Sequence, residues 1–313
     1  MAAATEFSPW LWAGFVLLVL VFLVLDLGVI HRQARVPRLR ESLAWSLLWF
    51  LLALAIAGAL ALGRGAEPCL QFLAGYLVEY SLSLDNIFAM ALIFAWFRVP
   101  PAQQHRVLFW GILGALLMRG LMIGAGAELL EQFHWISYLL GAFLLWTGLR
   151  WAFSKQALVQ PEKNQLVRLA RKFFPVTPDF QGQSFFGQVE GRRALTPLAL
   201  ALLTIEATDL VFATDSIPAT FAVTQNAFII FTSNLCAVLG LRSLYFLLAG
   251  ALRYFRFLKN GLALVLVFIG AKMLLSSWCK IPASITLAVI AGVMGVSILL
   301  SVAKPAAAAP GAP

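Results

Sequence analysis

The chain has 313 residues, of which 61% are hydrophobic and only 12% are charged. A typical soluble domain carries about 25% charged residues, so this composition excludes an ordinary soluble enzyme. The mean hydropathy is +0.88, and several apolar runs exceed the ~20 residues needed to cross a bilayer, which predicts a multi-pass membrane protein. The net charge of +9 fits basic inner loops facing an anionic leaflet better than it fits nucleic-acid binding.

Nine apolar segments are each predicted to form a spanning helix, which places the two termini on opposite sides of the membrane. The segments are 9–30, 43–63, 69–97, 107–127, 135–153, 197–223, 227–251, 258–277 and 282–303. With the N-terminus outside, the outer loops hold only Arg64 and Lys280, and the other loop arginines and lysines lie inside. The positive-inside rule therefore predicts an N-out, C-in orientation.

The only long polar segment, 154–196, is interpreted as a cytoplasmic linker that divides the chain. Residues 1–68 then hold two helices, 69–153 a first three-helix unit and 197–277 a second one. Residues 278–313 hold the ninth helix and an Ala/Pro-rich tail whose composition predicts disorder.

The two three-helix units carry a faint sequence repeat. Glu79 and Asp85-Asn86 align with Asp209 and Asp215-Ser216. Further along, Arg119 aligns with Arg242, and Gly148-Leu-Arg150 aligns with Gly270-Ala-Lys272. Because the third helix enters from outside and the sixth from inside, the sequence predicts an inverted repeat, as in many secondary transporters.

Ten ionisable residues fall within the apolar segments. The acids are Asp26, Glu79, Asp85, Glu206, Asp209 and Asp215, and the bases are Arg119, Arg150, Arg242 and Lys272. Each costs about 2.5–3.5 kcal/mol at the bilayer centre, so the set must be compensated by pairing, water or a bound ion. If all are ionised, the sum of minus two matches one divalent cation, although one or two protonated carboxylates would give the same neutrality.

The polar residues near these acids supply oxygen donors, which suit hard ions such as Mg, Ca or Mn. Glu206 and Asp209 share a helix face, whereas Asp215 joins them only if the helix breaks. Pro218 is the candidate break, because it frees the carbonyl of Thr214. In the alternative interpretation, the acids merely bind the cations and hold the bundle together. Pairing with acids is favoured over substrate contact for Arg119 and Arg242, and Asp26 is either a participant or an interface group.

Segments 79–86 and 206–219 closely resemble the paired signatures of the TerC/Alx family of bacterial inner-membrane proteins, as do 232–246 and 268–273. Members are named after tellurium resistance or alkaline induction, and the resemblance implies manganese export across the inner membrane. It also implies that the metal-site candidates are Glu79, Asp85, Asn86, Glu206, Asp209 and Asp215. Possible supporting residues are Asp26, Ser83, Thr214, Ser216, Arg119, Arg242 and Lys272.

These observations give the hypothesis of a Mn(II) exporter, with Mn(II) as substrate, no organic cofactor and proton antiport as the natural coupling. The rivals are export of Ca(II), an oxyanion path through the buried cations, and a membrane partner that delivers metal or assists assembly without transport. The sequence contains no GxxxxGK motif, which disfavours direct ATP drive. Ion selectivity, coupling stoichiometry, oligomeric state and the role of the linker are left open.

Overall fold

The computed structural model describes residues 7–25, 38–133, 135–153, 165–189, 191–248, 257–276, 278 and 281–303. This part of the chain is built almost entirely of helices. They are α1 (Pro9–Leu25), α2 (Leu39–Arg64), α3 (Ala66–Phe97), α4 (Pro101–Gln132), α5 (Ile136–Phe153), α6 (Gln165–Phe173), α7 (Pro197–Val223), α8 (Ala227–Leu239), α9 (Leu241–Leu248), α10 (Leu258–Leu274) and α11 (Ala283–Ala303). Asp26 and the tail after residue 303 lie outside the described residues.

Seven candidate spans in the described chain are long and apolar enough to cross a membrane. They are α2, α3, α4, α5, α7, the α8–α9 pair and α11. The predicted class, a helical multi-pass membrane protein, is therefore confirmed. The first and eighth predicted spans correspond to α1 and α10, which have 17 residues each. The total of nine spans, the N-out orientation and the inverted repeat stay predictions.

Helix α3 lies at the centre of the bundle, in contact with α2, α7, α8 and α11. Most of its inward side is buried, whereas α2 exposes Leu43, Leu47, Leu51 and Leu54 along its length. Leucines cost nothing when they face lipid tails, so α2 can serve as a lipid-facing wall. Glu79 and Asn86 of α3 are buried where this helix meets α7 and α8.

Helices α5 and α10 pack with their backbones in direct contact. A Cβ added to Gly270 would lie 2.6 Å from the backbone N of Leu145 and 2.8 Å from the carbonyl O of Gly141. A Cβ on Gly148 would lie 2.9 Å from the carbonyl O of Ala263. Positions further along α5 face positions nearer the start of α10, so the two helices are antiparallel. Glycine is required at these contacts because any side chain would separate the two helices.

The polar segment 154–196 contains the only exception to the all-helical prediction within the described residues. Strands β1 (Phe186–Val189) and β2 (Arg192–Leu195) pair antiparallel, with Phe186 opposite Leu195. Gly191 adopts φ 75° in the connection, a conformation that glycine reaches without steric cost. The fold class is thus corrected to a helical bundle with a short hairpin next to the amphipathic helix α6.

Candidate functional site

The site begins with two carboxylates on two helices that cross at the centre of the bundle, Glu79 on α3 and Asp209 on α7. Seven residues are about two helical turns, so Asn86 shares the face of Glu79. By the same spacing, Ser216 shares the face of Asp209. All four side chains are buried, and Asn86 Nδ2 donates across the helix interface to Asp209 Oδ1 at 3.2 Å.

Arg119 of α4 lies between the two carboxylates and is fully buried. Its Nη2 donates to Asp209 Oδ1 at 2.9 Å and its Nε to Asp209 Oδ2 at 3.2 Å, a bidentate pair. Its Nη1 donates to Glu79 Oε1 and also faces Ser216 Oγ at 3.4 Å. The expected pairing of Arg119 with buried acids is therefore present.

Asn234 of α8 completes the arrangement. Its Nδ2 donates to Glu79 Oε2 at 2.8 Å, and its Oδ1 accepts from Arg119 Nη1 at 3.3 Å. Asn234 was not among the site residues predicted from the sequence, although an asparagine in an apolar helix is itself a signal of a buried polar partner. We call these six residues the central cluster: Glu79, Asn86, Arg119, Asp209, Ser216 and Asn234.

The charge of the central cluster is minus one when its groups are ionised, because one guanidinium faces two carboxylates. Each charged group has charge-assisted hydrogen bonds, which is the condition under which buried ions are tolerated. Removing the guanidinium would leave two negative charges a few ångströms apart in a low-dielectric environment. A divalent cation would exactly match that charge.

The other three acidic metal-site candidates, Asp85, Glu206 and Asp215, lie outside the central cluster. Six residues are about 1.7 helical turns, so Asp85 and Asp215 point away from the faces of Glu79 and Asp209. Asp85 is buried near Lys259 of α10, and its Oδ2 has no hydrogen-bond partner among the described residues. Asp215 lies near Thr147 and Arg150 of α5.

Glu206 is only partly buried and lies one turn before Asp209 on α7, against the backbone of α4. A Cβ added to Gly114 would overlap its carboxylate, so glycine at that position makes room for the acid. Helix α7 runs without interruption through Pro218, and the proposed break that would bring Asp215 to the other acids is absent. Within the described residues, no three acidic, histidine or cysteine side chains are arranged to hold a metal.

A small cavity of about 10 Å³ adjoins the central cluster at Asp209 and Asn86, and Thr208 and Met90 also line it. This volume is about that of one water molecule. Asn86 Oδ1 is buried and has no hydrogen-bond partner in the described part of the chain. The surface that the cavity exposes is apolar, however, so the cavity by itself provides no ligand site beside Asp209 and Asn86.

The remaining supporting candidates are scattered. Ser83 is buried on α3, and Thr214 is exposed and donates to its own helix at Val211 O at 2.6 Å. Arg242 is buried on α9. Lys272 Nζ donates to Thr286 Oγ1 of α11 at 3.0 Å. Of the seven possible supporting residues predicted from the sequence, Arg119 and Ser216 are the ones that the structure places in the central cluster, and Asp26 lies outside the described residues.

These features define an integral membrane protein whose spanning helices enclose a satisfied ionic cluster. Residues 64–308 match the sequence profile described as "Integral membrane protein TerC family". The chain therefore belongs to the TerC family, as its motifs predicted.

Relatives match along almost the whole chain. "Uncharacterized membrane protein STKORF319" of Myxococcus xanthus is 51% identical, covering 95% of this chain and 93% of the relative. "Putative membrane-bound redox modulator Alx" of Escherichia coli (strain K12) is 42% identical, covering 94% of both chains. An "Uncharacterized membrane protein" of Rickettsia bellii is 39% identical, covering 94% of this chain and 97% of the relative. No solved structure matches the chain.

Proposed function

We propose that this protein is a transporter, not an enzyme, that exports Mn(II) from the cytoplasm across the bacterial inner membrane. The observation that carries the proposal is the pair of buried carboxylates, Glu79 and Asp209, held on different helices at the centre of a membrane bundle. Intramembrane acids that face the interior of a bundle are typical of ion pathways. The oxygen donors beside them favour a hard divalent ion as substrate.

Arg119 acts in this proposal as the counter-ion of Glu79 and Asp209 when no cation is bound. Its guanidinium binds both carboxylates, so a dication and Arg119 compete for the same negative charge. Binding of Mn(II) then requires Arg119 to withdraw from at least one acid. Such an exchange keeps the buried acids compensated both with and without substrate, which avoids the cost of an uncompensated buried charge.

An inverted repeat would supply alternating access, and two pairs of contacts support it. Asn86 of the first unit donates to Asp209 of the second, and Ser216 of the second lies beside Glu79 of the first. In the alignment, Glu79 corresponds to Asp209 and Asn86 corresponds to Ser216, so each contact becomes the other when the two units are exchanged. Exchange of equivalent partners is the relation expected for two units of opposite orientation.

The α5–α10 contact has the same form. Gly141 lies opposite Gly270, and Gly148 lies opposite Ala263. The alignment that equates Gly148 with Gly270 also equates Gly141 with Ala263, so each contact maps onto the other when the units are exchanged. We propose that the α5–α10 interface is the surface along which one unit moves against the other.

Export of a dication against an inside-negative potential costs about 2.3 kcal/mol per charge per 100 mV, so the transport needs coupling or a steep gradient. Proton antiport is the proposed coupling, because protonation of Asp85 or Asp215 would favour release of the metal. In inside-out vesicles, an acidic interior is expected to increase Mn(II) uptake. Uptake that does not respond to the imposed pH gradient would contradict the antiport while leaving export intact.

The test of the proposal is Mn(II) uptake into inside-out vesicles or oriented proteoliposomes. We expect wild-type protein to take up Mn(II), and Asp85→Asn, Asp209→Asn and Asp215→Asn to lose that uptake. Asp179→Asn, in the exposed polar segment, is the matched control and should transport normally. Absence of flux in correctly inserted wild-type protein would reject export and favour a metal-delivery or assembly partner. Flux of Ca(II) in preference to Mn(II) would reassign the substrate.

A further inference from the structure

A large cavity opens at one end of the bundle, where α2 ends, α3 begins, α4 ends and α7 turns into α8. Its volume is about 770 Å³. We call it the terminal cavity and define it by Arg64, Glu67, Gln71, Glu131, Thr224 and Asn226. These side chains contribute two carboxylates, one guanidinium and several neutral oxygens. The lining is therefore net negative and rich in donors suited to a hydrated cation.

The floor of the terminal cavity is a contact between α3 and α7. Thr224 Oγ1 donates to Gln71 Oε1 at 2.6 Å. From Gln71, steps of four residues along α3 lead through Gly75 to Glu79, and such steps follow one stripe of a helix. From Thr224, equal steps back along α7 lead through Thr220 to Ser216. Both stripes start at the terminal cavity and end in the central cluster.

The two stripes meet a third helix at Gly75, where α3 packs closely against α7 and α8. A Cβ on Gly75 would lie 2.9 Å from Ser233 Oγ of α8 and 3.2 Å from Thr220 Cγ2. Glycine at this position therefore lets α3 pack directly against Ser233 Oγ and the methyl group of Thr220, and a larger residue would have to displace them. We call Gln71, Gly75, Thr220, Thr224 and Ser233 the hydroxyl seam.

Two hydroxyls of the seam donate to backbone carbonyls of their own helices. Thr220 Oγ1 donates its proton to Ser216 O at 3.0 Å, and Ser233 Oγ donates to Ile230 O at 3.1 Å. A hydroxyl that donates to its own helix backbone keeps its lone pairs available. An apolar bundle has no need for this row of polar groups between a cavity and an ion cluster.

We propose that the terminal cavity and the hydroxyl seam form the exit path for the divalent cation, with Gly75 as its constriction. The inference rests on the proposed transport and adds the route and its side of the membrane. A cation released from Glu79 moves about 12 Å along α3, the rise of eight helical residues, to reach Gln71. It is rehydrated in the terminal cavity, where Glu67 and Glu131 lower the cost of its arrival.

The test is site-specific labelling of the full-length protein in oriented proteoliposomes, on a background in which Cys69, Cys236 and Cys279 are replaced. Single cysteines are introduced as Thr224→Cys, Thr220→Cys and Ser233→Cys. The reagent is a membrane-impermeant cationic methanethiosulfonate, added from one side at a time. Gly63→Cys, next to open space at the end of α2, reports which side carries the terminal cavity.

Ala219→Cys is the matched control, because Ala219 is as fully buried as Thr220 but packs into the apolar cluster around α10. We expect Thr224→Cys to react fast, and Thr220→Cys and Ser233→Cys to react about tenfold or more faster than Ala219→Cys, since buried thiols without access are inert. All three reactions should occur from the Gly63 side. Adding Gly75→Val should slow the Thr220→Cys and Ser233→Cys reactions while leaving Thr224→Cys unchanged.

Mn(II) uptake by the same cysteine-free background separates the possible failures. If it transports Mn(II) but Ser233→Cys and Thr220→Cys react no faster than Ala219→Cys, the exit path is wrong and export stands. Reaction at these positions from the side opposite to Gly63 would overturn the path in the same way. If neither the background nor wild-type protein moves Mn(II), the proposed function itself fails.

Discussion

The α3–α7 and α5–α10 interfaces are held together by two different kinds of interaction. The first is held by the central cluster, where Arg119 joins acids from both helices. The second is held by backbone contact at Gly148 and Gly270, without any charge. Lipid tails give apolar helices no hydrophobic reason to associate, so packing and polar bonds must do so. The acids of the α3–α7 interface can exchange Arg119 for another cation, whereas the glycines of the α5–α10 interface only set the distance between the helices. We therefore expect substitutions at the two interfaces to respond differently to added Mn(II).

The largest expected effect is that of Arg119→Ala, which leaves Glu79 and Asp209 buried without their counter-ion. Loss of one partner of a buried pair costs about 3–5 kcal/mol. We expect a large fall in thermal stability in detergent. Added Mn(II) should restore part of that stability, because a dication can replace the guanidinium. A variant as stable as wild type, or one that Mn(II) leaves unchanged, would contradict the counter-ion role.

The next effect should come from Gly270→Ala at the α5–α10 interface. The new Cβ meets backbone atoms of Leu145 and Gly141, which cannot move aside as side chains can. Overpacking of this kind costs about 1–3 kcal/mol. Unlike Arg119→Ala, this variant should gain no stability from Mn(II). Gly292→Ala on α11 has nothing within 4 Å and serves as the control with unchanged melting temperature.

Asn234→Ala tests how far the central cluster extends beyond its charges. It removes the donor to Glu79 Oε2 and the acceptor for Arg119, leaving both charged groups less satisfied. Loss of hydrogen bonds to buried charged groups costs about 1.5–3 kcal/mol. The variant should unfold at a lower temperature than wild type, and Asn234→Asp should not rescue it because a carboxylate would face Glu79. Wild-type stability for Asn234→Ala would restrict the cluster to Arg119 and the two acids.

The smallest effect on stability is expected for Asp85→Asn. Asp85 Oδ2 makes no hydrogen bond to the described residues, so an isosteric amide removes a buried charge and leaves the hydrogen bonds of the central cluster in place. The amide relieves the desolvation cost of the buried carboxylate but loses its attraction to Lys259, and because these effects oppose each other we expect a net change below about 1 kcal/mol. The melting temperature should therefore match wild type while Mn(II) uptake is lost. A loss of stability as large as that of Asp209→Asn would show that Asp85 is structural.

Helix positions could be read from the sequence because apolar length is a local property. The prediction of 197–223 coincides with α7, and that of 43–63 lies within α2, Leu39–Arg64. Helix α4 extends beyond its predicted apolar stretch at both ends, since polar residues continue a helix at the interfaces. The predicted helix over 227–251 instead divides at Gly240 into α8 and α9, beside the side chain of Trp49.

The acids of the site were also found from the sequence, because ionisable residues in apolar segments stand out by their cost. Their grouping could not be found in this way. The same six-residue spacing joins Glu79 to Asp85 and Asp209 to Asp215, yet only the first member of each pair faces the other helix. Arg119 was expected to pair with acids, but the identity of those acids depends on contacts 40 and 90 residues apart in sequence.

The sequence by itself determined the membrane class, the TerC family and which residues must be compensated inside the bilayer. The membrane class and the residues that need compensation follow from local hydrogen bonding, apolar length and the free energy of burying charge, none of which requires knowledge of neighbouring helices. The family follows from the resemblance of segments 79–86 and 206–219 to its signatures. Only the tertiary structure decided that Arg119 and Asn234 complete the site, that Asp215 turns to α5 and that α3 packs directly against Ser233 at Gly75. Those outcomes depend on how helices distant in sequence rotate and approach one another, and packing across the bundle sets both.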